Sequence, residues 1–571
     1  MSTATTIHRF FLLATLAVIG LGLLALAACA NPHRFRVTPT PTSAPRPTAT
    51  PSPSPTPTPA WPVTVGCGAP VPARACAYLR EWTSQDPEHF AWVEDSATAD
   101  VQLGSGELPH QLPVGTWTYV AAAPFFTLED EVASADLQAT WTGEPAGPFV
   151  QHPLLVTTDT LDALVSLWGP PTGEAVRSVA ASALLTEAIR LDGWAVLPFD
   201  ELEPRWKVLQ VDGITPLEKG LEQETYPLTL SLYLGSDRRP DALPLLTIAL
   251  SNRDEAEMAV VAMTGVTALT RGTARTMEAM GVTYPAQDIG DWLREADLTH
   301  ISNEVSFTPD CPVPPPLGTM TFCSHDRYIE LLEVVGTDVV ELTGNHNNDY
   351  GTEPNLHTLQ MLWERGWRWF GGGTNLVEAT RPLTVTLGPN RLAFLGCNAV
   401  GPTYAWATED APGAAPCGDW EWIKAQISSL RAAEWLPIIT VQAYETYKYF
   451  PTPGQMEAFR ALAEAGAVVV QGSQAHQPQG FDFHAGAFVH YGLGNLFFDQ
   501  MQSLETRQEF VDRLVFYGGR LLSVDLRTAM LEDHARPRPM TAEERRALLE
   551  AVFAVSGWRT EARHEPTTSN Q

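Results

Sequence analysis

The stretch Asp338-Val339-Val340-Glu341-Leu342-Thr343-Gly344-Asn345-His346-Asn347-Asn348-Asp349-Tyr350-Gly351 decides how the rest of the chain is read. It begins as a short β-branched run and ends in a polar turn, the pattern of a buried strand delivering a loop. That loop presents an amide at Asn345, an imidazole at His346 and a carboxylate at Asp349. Crowding of coordinating and proton-transferring groups at a strand exit is how α/β folds build sites. The plainer alternative is an Asn/Gly-rich turn whose side chains satisfy their own backbone. The neighbouring segments have to decide.

Working outward, several strands end in the same way. Ala259 to Met263 runs into Gly265-Val266, and Leu298 to Ser302 reaches Asn303-Glu304. Leu436 to Gln442 is followed by Glu445, and Ala467 to Val470 delivers Gln474 and His476. Helices are predicted between them, around 287–296, 329–335, 356–364, 420–433 and 455–465. The segment 383–395 reads as a hairpin about Gly388-Pro389-Asn390. In the 356–364 helix, Leu356, Leu359 and Trp363 share the face expected to meet the core. Polar clusters at the ends of four strands make a shared site the economical explanation.

The segment 63–253 also alternates strands, at 99–103, 119–123 and 193–200, with helices predicted at 161–168 and 176–189. This predicts a mostly parallel α/β sheet. Trp117, Tyr119, Phe125 and Trp141 are either core or the lining of a ligand cleft.

Before this body lies an apolar run from Phe10 to Ala28, ending in Leu26-Ala27-Ala28-Cys29. A small-residue site with Cys immediately after it resembles a bacterial lipobox, in which Cys29 is lipidated. The alternative is an uncleaved signal anchor, because about 19 apolar residues span a bilayer. Residues 1–29 are therefore read as a lipoprotein signal peptide. Residues 30–62, rich in Thr and Pro, are read as an extended spacer. Both place the body outside the cytoplasmic membrane, with a lipid anchor on its outer face as the membrane contact. The remaining six cysteines fall into three close pairs: Cys67 with Cys76, Cys311 with Cys323, and Cys397 with Cys417. None has CxxC spacing, so local disulfides are expected in an oxidising compartment. The net charge of −30 argues against nucleic acid as a partner.

Taken together, certain phrases resemble the CapA, or poly-γ-glutamate capsule-synthesis, family. They are Ala296-Asp297-Leu298 with Asn303-Glu304, Gly344-Asn345-His346 with Asp349-Tyr350-Gly351, and Phe370-Gly371-Gly372-Gly373. Gly472-Ser473-Gln474-Ala475-His476 and Tyr491-Gly492-Leu493-Gly494-Asn495 with Phe498-Asp499 complete the set. The resemblance implies a four-layer α/β/β/α metallophosphatase-like sandwich over 254–535, with a two-metal site at its strand ends. The region before it, through Ala123-Pro124-Phe125-Phe126, Trp141-Thr142-Gly143, Trp168-Gly169-Pro170 and Tyr226-Pro227-Leu228, loosely resembles a type 2 periplasmic solute-binding domain. Residues 536–571 are read as a C-terminal helix and polar tail.

Three positions depart from the family. Its Gly-Asp is Gly265-Val266 here, its later His-x-Gly strand end is Gln442-Ala443-Tyr444-Glu445, and the first His of its Gly-x-His-x-His is Gln474. Valine coordinates nothing, and a neutral amide oxygen suits Mg or Ca better than Zn or Fe. The expectation is therefore at most one divalent metal, Mg, Ca or Mn, held by Glu304, Asn345 and His476, or no metal at all. Catalytic roles are expected of His346, Asp349 and Glu445, and contacts to ligand from Asn303, Gln442 and Gln474. Two readings remain open. One is a hydrolase acting on ester, phosphoester or amide bonds of a cell-surface polymer. The other is a binding lipoprotein for a solute or polymer, with a degenerate site.

Overall fold

The computed structural model describes residues 61–557. The lipobox with Cys29, nearly all of the 30–62 spacer and the end of the polar tail lie outside the described residues. Among the described residues, no helix is long and apolar enough to cross a membrane.

The first sheet contains β1 (Val63–Cys67), β2 (Phe90–Trp92), β3 (Val101–Gly104), β4 (Leu112–Pro124), β5 (Leu154–Val156), β6 (Val176–Ser178), β7 (Trp194–Pro198) and β8 (Thr229–Gly235). Their order is β2-β1-β3-β8-β4-β7-β5-β6. The flanks are parallel, β1 with β2 and β3, and β5 with β6 and β7. Central β4 corrects the expectation of a mostly parallel sheet, since it runs antiparallel to both β8 and β7. Strand β8 is also antiparallel to β3, so β3 and β4 run in the same direction with β8 inserted between them. The helix predicted over 176–189 is likewise corrected. Val176–Ser178 pairs as a strand with β5, and the helix starts only at Leu184. Trp117, Tyr119, Phe125 and Trp141 are all buried and belong to the core, and of the four Phe125 also borders a cavity beside Asp130, Lys207 and Arg545.

The second half builds two sheets. One holds β9 (Met258–Thr264), β10 (Leu298–Asn303), β11 (Val339–Glu341) and β12 (Arg368–Phe370), extended by β19 (Gln508–Tyr517), β20 (Arg520–Glu532) and β21 (Arg536–Pro539). The other holds β13 (Leu383–Leu387), β14 (Asn390–Asn398), β15 (Leu436–Gln442), β16 (Val469–Ser473), β17 (Phe481–His484) and β18 (Ala487–His490). The orders are β12-β11-β10-β9-β19-β20-β21 and β13-β14-β15-β16-β18-β17. Strands β9 to β12 are mutually parallel, as are β14, β15, β16 and β18. All the chemically interesting strand exits of each sheet therefore lie at one edge.

Side-chain alternation along these strands creates the layers. Val261, Val339, Phe394, Ile438 and Val469 meet in one core between the two sheets. Their neighbours point outward. Ala262 and Ile301 pack under the helix Arg271–Met280 (α1) and its companions. Leu395, Ile439 and Val470 pack under Glu421–Ala432 (α2) and Pro453–Glu464 (α3). Helix, sheet, sheet, helix is the four-layer α/β/β/α arrangement. The three cysteine pairs are bonded as read, with Cα–Cα separations of 5.8, 5.8 and 5.0 Å.

The two halves share apolar interior. Val120, Ala122 and Leu197 pack with Met258, Val260 and Val515, and Phe125 enters the inter-sheet core. The C-terminal helix Ala542–Val555 (α4) starts with a capping box at Thr541 and Glu544. Its Arg545 grips Asp130 of the first half through two hydrogen bonds, at 2.7 and 2.8 Å, and Lys207 Nζ reaches the same carboxylate at 2.8 Å. Burial alone would raise Asp130, but the Arg545 and Lys207 contacts outweigh it and bring the group down to about 2. Lys207 is more enclosed, and burial lowers it to about 8 in spite of the same partner.

A lowered carboxylate stabilises the fold above its unfolded value and loses that contribution as pH falls through the folded one. Asp130→Asn is expected to cost about 1–2 kcal/mol at pH 7, discounted because Asp130 is partly exposed. The difference from wild type should shrink between about pH 4 and pH 2. Urea unfolding of both proteins across that range checks it, and a difference independent of pH would refute the assignment.

Candidate functional site

The Gly-Asn-His loop leaves β11 and runs alongside the residues after β10, where Val305 and His346 form a parallel bridge. Gly344 explains its place in the motif, because a Cβ there would lie 2.6 Å from the Cα of Glu304. The bare backbone lets the two strand exits touch. The loop is held from below by a helix, α5 (Thr352–Glu364). Asn355 donates to Asn348 Oδ1 at 3.0 Å, and Thr358 Oγ1 accepts from the Phe307 N–H at 2.7 Å. These polar positions are buried, whereas Leu356 and Trp363 are 40% and 72% exposed. Of the three residues expected on the apolar face of this helix, Leu359 alone is buried. The inner face of the helix is recruited to fasten the site loops.

His346 is fixed by Asp349, whose Oδ2 lies 2.6 Å from Nδ1. Asp349 also accepts from the Phe322 N–H at 2.7 Å and from the Tyr404 hydroxyl at 3.2 Å. On the other side of the ring, Nε2 lies 3.8 Å from Glu304 Oε1. Glu304 is 2% exposed, and neither of its carboxylate oxygens has a hydrogen-bond partner. Burial pushes it up to about 7, a change that His346 opposes and the nearby Glu445 carboxylate reinforces. Burial works to lower His346, but the Asp349 hydrogen bond and the charges of Glu304 and Asp349 outweigh it, and its pKa is raised. Glu445, in the loop after β15, is exposed, is raised by partial desolvation and accepts from the Tyr447 hydroxyl.

His476 follows β16 with a left-handed backbone, as does Gln474 (φ 55° and 76°). Its Nδ1 lies 2.9 Å from Asn495 Oδ1, and burial lowers it to about 4, so it is neutral at physiological pH. Gln442 Nε2 donates to Gln474 Oε1 and, at 3.3 Å, to Asn345 Oδ1, while Ser473 Oγ donates to Gln442 Oε1. Asn303 makes no hydrogen bond to this network: its Nδ2 donates to Val305 O at 2.9 Å, and its Oδ1 is buried without a partner.

A two-metal centre is what a metallophosphatase sandwich implies, and these donors do not fit one. Val266 is buried in the two-residue strand Val266–Thr267 and offers no lone pair. The amide oxygens of Gln442, Gln474 and Asn345 are engaged by neighbouring side chains. Among the described residues, no group of three or more His, Cys, Asp or Glu side chains converges to hold an ion. Such a centre needs several anionic or imidazole ligands.

The site also contains residues that sequence reasoning missed. Arg271 opens α1 and pairs with Asp499, and its guanidinium lies over the rings of Phe322 and Phe498 at 4.7 and 4.8 Å. Phe322 in turn lies 4.2 Å from the His346 ring, on the loop closed by Cys311–Cys323. The available signal was positional: Thr270-Arg271-Gly272 follows the exit of the first sandwich strand, on the same edge as the other clusters.

Fold and site together define a four-layer α/β/β/α sandwich whose strand exits gather amide, imidazole, carboxylate and guanidinium groups. Residues 260–500 match the family described as "Bacterial capsule synthesis protein PGA_cap". The capsule biosynthesis protein CapA of Bacillus anthracis is 26% identical over 181 residues, covering 31% of this chain and 44% of that protein. The PGA biosynthesis protein CapA of Bacillus subtilis is 27% identical over 180 residues, covering 31% and 47%. The chain thus spans just under half the length of the curated relatives it matches. Among solved structures, the NAD nucleotidase of Haemophilus influenzae aligns over 51% of this chain and 55% of its own at 10% identity, with a TM-score of 0.29. An ABC-type phosphate transport receptor from Vibrio cholerae aligns over 31% and 87% at 15% identity, with a TM-score of 0.27.

Proposed function

We propose that this chain is a cell-surface lipoprotein of capsule or poly-γ-glutamate biosynthesis, and that it hydrolyses or transfers ester, phosphoester or amide bonds by acid–base chemistry. The observation that carries the chemistry is the line Asp349–His346–Glu304, with separations of 2.6 and 3.8 Å. Asp349 orients the ring, Nε2 faces the reaction space, and the enclosed Glu304 holds a proton near neutral pH. His346 would take the proton of an attacking hydroxyl or water, and Glu304 would return one to the leaving group. The named capsule proteins among the relatives support the biological setting. The Leu-Ala-Ala-Cys29 sequence supports anchoring at the outer face of the membrane.

A second reading is favoured by one specific feature. The hydrogen-bonded cluster of Gln442, Gln474, Asn345 and Ser473 is built like a neutral binding surface, so the site could hold a polymer without turning it over. One divalent cation (Mg, Ca or Mn) on Glu304, Asn345 and His476 is the competing account of the same pocket.

Poly-γ-glutamate and chromogenic esters and phosphoesters, assayed in chelator, separate these readings. Turnover is expected without added metal, and His346→Ala should lower it by about 10²–10⁴-fold. Unchanged activity in that variant sinks the acid–base reading. Activity that is chelator-sensitive, with stoichiometric metal lost in Glu304→Ala, establishes the one-cation account instead.

A further inference from the structure

One permanent positive charge in this pocket has no part in the acid–base chemistry. We propose that the pocket binds an oxyanion, a carboxylate or a phosphate group, and that Arg271 is the group that receives it. The proposal rests on the reading above only in taking the His346 pocket as the site.

Arg271 is held in place from several sides. Asp499 accepts from its Nη2 and, at 2.7 Å, from the Gly272 N–H. The guanidinium is wedged between Phe322, whose ring meets His346, and Phe498, whose ring lies 5.4 Å from His476. Its backbone sits at φ 45°, an unfavourable conformation for a long side chain. A side chain so constrained keeps its charge at one point, which is what a binding group requires and a solvated arginine lacks.

The fork is nonetheless largely unused. Of the five N–H donors of a guanidinium, Asp499 occupies one, Nε is buried without a partner, and 17% of the side chain remains open. Its charge is felt at Glu304, His346, Glu445 and His476, so it lies within electrostatic reach of all four. Glu304 supplies an independent observation, being almost fully buried with both oxygens unpartnered. A ligand placing an oxyanion on Arg271 and a neighbouring N–H, O–H or water on Glu304 would satisfy both. Asp349 is already engaged by His346 Nδ1, and Asp499 by Arg271. Glu304 and Glu445 confine the anion to the Arg271 side of the pocket.

Calorimetric titration of the chelator-treated protein tests this, with inorganic phosphate as one probe and a short γ-linked glutamate oligomer as the other. At least one probe should bind with one-to-one stoichiometry, and the probe that binds says whether the group is a phosphate or a carboxylate. Arg271→Gln, which keeps a donor toward Asp499, should weaken binding by about 10–100-fold while melting like wild type. Turnover is measured on the same preparations. Binding that depends on Arg271 in a protein without turnover would therefore uphold this inference and defeat the acid–base reading. If neither probe binds the wild type, or folded Arg271→Gln binds as wild type does, the inference is overturned. Should that variant fail to fold, Arg271→Lys takes its place, where retained charge without the fork should still weaken binding. Unchanged affinity there overturns it.

Discussion

Phe125→Ala should lower the unfolding free energy by about 3–5 kcal/mol, the usual cost of deleting a buried phenylalanine that its surroundings cannot refill. The ring leaves the first half at the end of β4, 4% exposed, and enters a nest of rings from the second. Phe481, Phe483, Phe488 and Phe553 lie 5.8, 5.1, 5.8 and 6.1 Å from it, in edge-on arrangements that aromatic pairs favour. Its N–H is bound to Arg205 O at 2.9 Å, so the backbone cannot simply follow the cavity inward. The upper part of the range is expected because the cavity would be walled by stiff side chains from β17, β18 and the C-terminal helix. Equilibrium urea unfolding, followed by tryptophan fluorescence, measures it. A loss below about 1 kcal/mol would show that the nest collapses around the gap and that the halves are joined elsewhere.

Phe125 also shows what could be read from the chain and what could not. Its identity allows a cleft wall or a core residue, and only the partner rings, more than 350 positions away in sequence, decide for core. The strand exits were legible because apolar run followed by polar cluster is a local pattern. Glu304, Asn345, His346, Gln442, Gln474 and His476 do lie at the ends of parallel strands. The hydrogen-bond roles within that set were not legible, as with Asn303, whose amide turns back to its own loop. Arg271 was missed because nothing local distinguishes it from any basic residue opening a helix, and Asp499 and both phenylalanines reach it from elsewhere. The β19–β20 hairpin was missed although its turn is Gly518-Gly519, both at positive φ. That dipeptide is the strong local signal for a two-residue hairpin.

Asp349→Asn should reduce turnover by about 10²–10⁴-fold on whichever polymer or chromogenic substrate the wild type processes. The substitution keeps the shape of the side chain but changes what it can do for His346. A carboxylate can only accept from Nδ1, at 2.6 Å, which puts the ring proton there and leaves Nε2 free toward Glu304. An amide can instead donate to Nδ1, which moves the proton to Nε2 and removes the base from the face where it is needed. The Phe322 N–H donates to the same oxygen, Oδ2, at 2.7 Å, and the Tyr404 hydroxyl to Oδ1 at 3.2 Å, so an amide that turns its nitrogen to Nδ1 keeps the Tyr404 contact and gives up the Phe322 one. The fold should therefore lose only about 1–2 kcal/mol, the worth of one charge-assisted hydrogen bond. Turnover and thermal unfolding measured on the same preparation separate the two effects. Activity within a few-fold of wild type would mean that His346 does not act as the base. Activity lost together with the fold would assign Asp349 to structure alone, holding the Phe322 loop against the site.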